Sequence, residues 1–229
     1  MRSFDRLMAV VPLLIITVII TGMAPQKTEN NKFLPVGEVV AESLIGAPPE
    51  VGSPEFNRQM AVVLWMQKIR TPEQVTFVEK PLNFDRFAPI LGHDLDVVDR
   101  VALEETLDEV ISQVRQNYDA VKDRYDYPRP FKVSDAVKPV GDARPVASYP
   151  SGHAIRATVY ARLLTDIFPE REAELSELAR QIGYGRVTAG VHYPMDVISG
   201  QLLGNAYADV ILKQPAFQEA VVRIRGIKE

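Results

Sequence analysis

Apolar side chains recur every three or four positions along most of the chain, a spacing typical of helices that bury one face. Shorter runs of this pattern lie at residues 155–163, 175–182 and 197–210. No stretch alternates apolar and polar residues between hairpin turns, as strands of an open sheet would. The pattern therefore predicts an all-α fold, a single-domain helical bundle. Its longest run begins near residue 95 and has one apolar stripe: Leu103, Leu107, Val110, Ile111, Val114, Tyr118 and Val121.

Two segments follow the N-terminal region. Residues 25–52 are rich in Pro and Gly and predict an extended arm laid over the surface. Residues 53–229 carry the helical periodicity and predict one all-helical domain. Ser53 before Pro54 is typical of a helix N-cap and first-turn proline, and Thr71 begins a capping-box pattern.

The N-terminal region itself has the layout of an export signal. Arg2 and Arg6 precede an apolar run that ends in small residues, so residues 1–24 are predicted to be a signal peptide. The alternative is an uncleaved membrane anchor at residues 7–24. Both place the domain outside the cytoplasm, in the periplasm or secreted.

Composition narrows the function classes. The chain has 229 residues and a formal net charge of -4 at pH 7, so no overall basic field favours nucleic acid. Without cysteine, it can form no disulfide, thiolate nucleophile or thiolate metal site. It has three histidines, and a three-histidine zinc site would use all of them. We therefore expect neither a metal nor another cofactor.

Two clusters of residues that could bind or react with a substrate lie at predicted helix ends. Lys122 closes the long helix, and Arg129 follows in a break made by prolines. Ser151, Gly152 and His153 open the next helix, where a glycine and unpaired N–H groups suit an anion. Alone, the first cluster could be solvated charges and the second a plain helix cap.

A third cluster contains Arg186, His192 and Asp196. His192 and Asp196 are four positions apart and would share a face if that turn is helical. An acid there can hold one imidazole nitrogen and leave the other free, although a surface pair would have the same spacing. His93 has acidic neighbours but no motif, and we interpret it as structural.

The three clusters form one ordered pattern: Lys122-(x6)-Arg129-Pro130, Pro150-Ser151-Gly152-His153 and Arg186-(x5)-His192-(x3)-Asp196. This pattern resembles the three-part signature of the type 2 phosphatidic acid phosphatase superfamily, which includes bacterial acid phosphatases and vanadium haloperoxidases. The stretches KDRYDYPRPF and SYPSGHA are most similar to class A bacterial acid phosphatases. The resemblance runs from about Ile45 to Asp209 and implies their helical fold.

The resemblance also implies a reaction, the metal-free hydrolysis of phosphate monoesters in two steps. His192 would attack phosphorus, Asp196 would fix its tautomer, and His153 would protonate the leaving oxygen and then activate water. Small phosphomonoesters and inorganic phosphate would be the partners, vanadate would inhibit, and a homo-oligomer stays open. The phosphate would be held by side chains and N–H groups of Lys122, Arg129, Ser151, Gly152 and Arg186.

One position departs from the family pattern. Gly185 stands where the family usually has a serine before the arginine of the third cluster. We expect this glycine to remove one hydroxyl hydrogen bond near the phosphate without abolishing activity.

Three other functions stay open. A lipid phosphate or prenyl pyrophosphate phosphatase would keep the chemistry but normally needs several membrane spans, and only residues 7–24 are apolar enough for one. A haloperoxidase would hold vanadate on His192, although such chains are typically much longer. A non-catalytic phosphate-binding module would have no use for His153 or for the pairing of His192 with Asp196.

Overall fold

The computed structural model describes residues 31–226, which contain α-helices and no strand. The all-α prediction is confirmed. The signal peptide or anchor predicted for residues 1–24 lies outside the described residues. The α-helices in chain order are α1 (Ala41–Ile45), α2 (Pro54–Ile69), α3 (Pro72–Glu79), α4 (Ala88–Leu91), α5 (Arg100–Tyr125), α6 (Pro130–Val133), α7 (Gly152–Ile167), α8 (Glu172–Thr188), α9 (Pro194–Ile211) and α10 (Pro215–Ile224).

The predicted caps begin two of these helices. The Ser53 side chain accepts a hydrogen bond from the Phe56 N–H at the start of α2. Thr71 and Gln74 form both hydrogen bonds of a capping box at the start of α3. Each cap satisfies N–H groups that a helix start otherwise leaves unpaired.

Helix α7 is the central helix, and it packs mainly against α8 and α9. Helix α9 approaches it through two glycines one turn apart. A Cβ atom on Gly200 would stand 2.7 Å from the Ser151 carbonyl oxygen, and one on Gly204 would stand 2.8 Å from that of Ile155. The two backbones therefore touch, and the helices run side by side from a common end. There the Ser151 N–H donates to the Asp196 carbonyl at 2.9 Å.

Helix α5 buries the apolar stripe that the sequence predicts, including Leu103, Leu107 and Val114. It begins at Arg100 rather than near residue 95, because residues 92–97 form a tighter 3-10 segment. A polar stripe on the same helix lies beside the apolar one and borders the site described below.

The N-terminal arm is held against α5 where the structure describes it, from residue 31. Phe33 and Leu34 are buried, and both of their N–H groups donate to the Gln113 side-chain oxygen at 3.0 Å. The arm is not extended throughout, because Ala41–Ile45 forms the short helix α1. Between residues 31 and 226, no helix is both long enough and apolar enough to cross a bilayer.

Candidate active site

A cavity of about 350 Å³ lies beside the first turn of α7 and the last turns of α5. Its lining contains five lysine and arginine side chains and two carboxylates, in a chain whose net charge is -4. The cavity is therefore a locally positive site suited to an anion. We call it the cationic cavity; its lining residues are Arg115, Tyr118, Asp119, Lys122, Asp123, Arg129, Arg144, Val146, Ala147, Gly152, His153, Arg156 and His192.

Backbone carbonyls, rather than carboxylates, hold the two cations of the first cluster. The Lys122 ammonium donates to the carbonyl oxygens of Ala147 at 2.6 Å and Pro150 at 3.0 Å. The Arg129 guanidinium donates to those of Val146 at 2.8 Å and Val191 at 3.3 Å. Carbonyls fix the positions of both side chains without neutralising their charge. Arg129 thus keeps N–H donors for an incoming anion. The Lys122 ammonium, which also donates to the Ser148 carbonyl at 3.4 Å, has all three donors in use and attracts an anion through its charge.

Arg186, in the last turn of α8, is buried near Arg129 but is not among the residues that line the cationic cavity. Its guanidinium donates to the Asp142 carbonyl oxygen at 3.0 Å, while its Nε has no hydrogen-bond partner among the described residues. Burial, and then repulsion by Arg129, lowers the pKa of Arg186 to about 10. The same two causes lower the pKa of Lys122 to about 8. This mutual repulsion is what a bound anion would relieve.

His192 lies in the loop between α8 and α9, so the turn that joins it to Asp196 is not helical. The two side chains meet because Asp196 is the third residue of α9 and its carboxylate turns back over the helix start. Asp196 Oδ2 lies 3.1 Å from His192 Nδ1 and also accepts the Tyr193 N–H at 2.9 Å. A proton shared between Nδ1 and the carboxylate leaves Nε2, on the opposite side of the ring, with a free lone pair.

The electrostatic environment favours a neutral imidazole on His192. Burial lowers the pKa of His192 well below its usual value, and the cations Arg129 and Lys122 lower it further. Burial raises the pKa of Asp196 to about 6, against hydrogen bonds from Ser148 and the Tyr193 N–H, which lower it. Near pH 7 the pair is therefore a neutral imidazole on a carboxylate, as a nucleophile requires.

Ser148 is a member of the site that the sequence does not predict. It is fully buried, its hydroxyl donates to Asp196 Oδ2 at 2.6 Å, and its Oγ lies 3.3 Å from His192 Nδ1. The contact crosses from the loop before α7 to the start of α9, a distance of 48 positions in sequence. No periodicity or spacing connects Ser148 with these partners.

His153 is in the first turn of α7 and lines the cationic cavity. Burial lowers its pKa well below the usual value, followed by the charges of Arg186 and Arg156. A proton on this imidazole therefore needs a nearby negative charge, which a phosphate would provide.

The remaining residues of the second cluster divide between structural and cavity positions. Ser151 is the N-cap of α7, with its Oγ 3.4 Å from the Ala154 N–H, and its own N–H is occupied by Asp196. The Ser151 N–H is thus not free for a phosphate, although its hydroxyl can still donate. Gly152 lines the cavity, and a Cβ atom there would stand 3.0 Å from the Tyr118 ring.

Gly185 precedes Arg186 on α8 and packs against α3. A Cβ atom on Gly185 would stand 2.9 Å from Val78 Cγ1, so α3 occupies the space that a side chain would need. Packing against α3 explains why glycine stands here. The same position lines a second cavity of about 390 Å³, the groove cavity, whose other lining residues are Met66, Glu73, Gln74, Phe77, Val78, Arg180, Gln181, Tyr184 and Thr188.

Comparison with known proteins identifies a protein family that contains these residues. Residues 106–219 match the model of the PAP2 superfamily. Over 78 residues the chain is 36% identical to the non-specific acid phosphatase of Salmonella typhimurium, covering 34% of this chain and 31% of that one. The matched segment thus spans about a third of that relative. Over 194 residues it is 23% identical to the non-specific acid phosphatase of Providencia stuartii, covering 80% of this chain and 78% of that one.

A solved structure has the same fold. It is the crystal structure of a transmembrane PAP2 type phosphatidylglycerolphosphate phosphatase from Bacillus subtilis, with a TM-score of 0.54 and 20% identity. The similarity covers 78% of this chain and 90% of that one, and at this identity it concerns the fold alone. A shorter match, 44% identical over 59 residues, covers 25% of this chain and 29% of an undecaprenyl-diphosphatase from Sulfolobus acidocaldarius. Since all three clusters lie within residues 106–219, the chain belongs to the PAP2 superfamily.

Proposed function

We propose that this protein is an exported acid phosphatase that hydrolyses phosphate monoesters without a metal, through a phosphohistidine on His192. The observation that carries the proposal is the buried pairing of His192 with Asp196 beside Lys122 and Arg129, neither of which forms an ion pair with a carboxylate of residues 31–226. The acid phosphatases among the relatives support the same reaction class.

Binding would place the phosphate oxygens on Lys122, Arg129 and Arg186. A guanidinium has five N–H donors. Arg129 and Arg186 each use two of their donors on backbone carbonyls, so both keep donors for the phosphate. These three cations would neutralise the charge of the transferring group, as a metal ion does in other phosphatases.

In the first chemical step, Nε2 of His192 attacks phosphorus and the bond to the leaving oxygen breaks. His153 gives its proton to that oxygen, and Asp196 stabilises the positive charge that develops on the His192 ring. In the second step, His153 removes a proton from water while the oxygen of that water attacks phosphorus. The phosphorus–nitrogen bond then breaks, which releases phosphate and restores neutral His192.

This assignment gives a direction for the pH dependence. In the empty cavity, burial and the cations Arg186 and Arg156 keep the pKa of His153 low. A dianionic substrate offsets the charge of those cations and raises the pKa of His153. His153 therefore gains the proton that the first step needs when the substrate binds. Turnover falls as pH rises through the pKa of His153 in the complex and as pH falls through that of Asp196, about 6, so we expect an acidic to neutral optimum.

The test is hydrolysis of p-nitrophenyl phosphate across pH in excess EDTA, with and without vanadate. We expect chelator-resistant turnover at acidic pH that vanadate blocks. Labelled substrate quenched into alkali should leave phosphate on the wild-type protein and none on His192→Gln. Loss of turnover in EDTA, or equal labelling of both proteins, would contradict the mechanism.

Export is a separate part of the proposal and rests on the N-terminal sequence pattern. Expression of the full chain in a Gram-negative host, followed by fractionation and N-terminal sequencing, tests it. A periplasmic protein beginning near residue 25 is expected. Activity confined to the cytoplasm would contradict export without affecting the chemistry.

A further inference from the structure

The cationic cavity continues beyond the groups that the proposed reaction uses. Arg115, Arg144 and Arg156 also line it, and none of them has a role in either chemical step. Of the two carboxylates of the lining, Asp119 lies between Arg115 and Lys122 on α5, and Asp123 directly follows Lys122. The part of the cavity that the three arginines line, the outer end, has more positive than negative charge.

Helical geometry places the outer end next to the phosphate site. Arg115, Tyr118 and Lys122 are spaced by three and four positions on α5 and so share one face. Arg115 precedes Lys122 by two turns, about 10 Å along the helix axis. A long side chain at that distance can reach a group attached to the phosphate but not the phosphate oxygens that Lys122 binds.

Arg156 is the strongest indication of a ligand here. It is 5% exposed and lies one turn after Gly152 on α7. Its guanidinium donates to the carbonyl oxygens of Gly152 at 3.1 Å and Leu82 at 3.5 Å. Among residues 31–226 it has no carboxylate within ion-pair distance, and neither has Arg115. A buried cation without a counter-ion is costly, and an anionic ligand removes that cost.

The charges in the lining support the same conclusion. Five cations face two carboxylates around the cavity. The lining therefore has a formal charge of +3, and a dianionic phosphate on Lys122 and Arg129 lowers it to +1. Arg144 adds to it only partly, because its guanidinium pairs with Asp142 at 2.9 Å in its own loop.

We propose that Arg115, Arg144 and Arg156 form a second anion subsite, which favours substrates carrying another anionic group on the leaving-group side of the reactive phosphate. A diphosphate is the simplest such substrate. This inference rests on the proposed function for the reaction itself. His192 would attack the terminal phosphorus, the bridging bond would break, and the second phosphate would leave with the proton of His153.

Binding tests the subsite independently of turnover. Calorimetric titration of the wild-type protein with inorganic phosphate and with methylenediphosphonate, at one ionic strength, gives two dissociation constants. We expect tighter binding of methylenediphosphonate, and a fall of about fivefold in that preference in Arg115→Gln, an exposed position whose loss should not affect folding. Arg100→Gln, on the same helix and paired with Glu104 at 2.7 Å, is the matched control and should keep the preference.

Equal affinities in the wild type, or a preference that Arg115→Gln leaves intact, would overturn the subsite. Failure to bind inorganic phosphate at all would instead contradict the proposed function. The two failures are therefore distinguishable.

Kinetics then separate soluble from lipid-linked diphosphates. The probes are inorganic pyrophosphate and geranyl diphosphate, each compared with p-nitrophenyl phosphate. We expect Arg115→Gln to lower the ratio of kcat/KM for either diphosphate to that for the monoester about fivefold. An Arg156→Lys protein should keep more of this ratio than Arg156→Gln, since a positive charge remains. A loss confined to geranyl diphosphate would overturn the proposal, because Arg115 would then serve the prenyl chain rather than the second phosphate.

Discussion

The cationic cavity and the groove cavity have nearly the same volume, about 350 and 390 Å³, but very different linings. Backbone carbonyls hold the cations of the first, and its charges are largely uncompensated. In the groove cavity, Met66, Phe77, Val78 and Tyr184 form much of the wall, and its arginine is already paired with a glutamate at 2.6 Å. Volume therefore does not distinguish the site. Fixed charge without a counter-ion does.

If that distinction is correct, changes in the cationic cavity should act on turnover and changes in the groove cavity on stability. The largest effect is expected for His192→Gln, which removes the proposed nucleophile. We expect kcat for p-nitrophenyl phosphate to fall by at least about 10⁴-fold with the helical circular dichroism unchanged. His93→Gln, at an exposed histidine, is the control and should match the wild type. Turnover within tenfold of the wild type in His192→Gln would contradict the nucleophile assignment.

Arg186→Ala comes next, because it removes one of the cations proposed to bind the transferring phosphate. We expect kcat/KM to fall about 10²-fold or more, which corresponds to roughly 3 kcal/mol of transition-state stabilisation. Arg180→Ala removes an arginine from the groove cavity and should stay within about twofold. Similar losses in both variants would contradict the proposed role of Arg186 in binding the phosphate.

Ser148→Ala should have a moderate effect, since it removes a hydrogen bond to Asp196 but no reacting atom. We expect kcat to fall about tenfold with KM little changed. Because the Ser148 hydroxyl lowers the pKa of Asp196, its loss should raise that pKa. Asp196 then protonates at higher pH, and the acidic limb of the kcat profile should move upward.

The control for this variant is Ser199→Ala. Ser199 is also buried, but its hydroxyl accepts a hydrogen bond from the Tyr149 hydroxyl at 2.9 Å and does not contact His192. It should leave the pH profile in place. A rate loss in Ser148→Ala without a shift of the acidic limb would indicate a packing role instead.

The smallest effect on turnover is expected for Gly185→Ser, on the groove side. The new Cβ would press on Val78, and overpacking of this kind costs about 1 kcal/mol or more in the free energy of unfolding. We expect denaturant unfolding to report that loss while kcat/KM stays within about twofold. A gain in kcat/KM would mean that the serine hydroxyl reaches the phosphate, although residue 185 packs against Val78.

The sequence predicts most of the fold because its helices have clear periodicity and caps. The apolar stripe of α5 and the caps at Ser53 and Thr71 were all recognisable before the structure. Helix α10 was not predicted, although Phe217 and Ile224 bury an apolar face there. The prediction of an extended arm is wrong at Ala41–Ile45, which forms α1. A single helical turn has too few residues to show a helical period.

The residues of the candidate site also divide into those that the sequence predicts and those that it does not. Lys122, Arg129 and His153 could be found because they belong to an ordered motif. Ser148 could not, since its contact with Asp196 depends on how a loop folds over a distant helix start. Arg156 could have been noticed in the sequence, because it is four positions after Gly152 and so lies on the same face of α7. Helical spacing alone does not show that its charge lacks a partner.

The contact of Gly200 and Gly204 with α7 has a consequence for how such an enzyme can be altered. Because the two glycines meet backbone carbonyls and the Cβ atoms of Ala154 and Thr158, any larger residue in their place would force the start of α9 away from α7. The spacing of these two helix starts does not depend on the exposed face of α5, whereas Ser148, in the loop before α7, contacts His192 and Asp196 directly. The exposed face of α5 is therefore the surface on which substrate range can be engineered while the contact between α7 and α9 stays fixed.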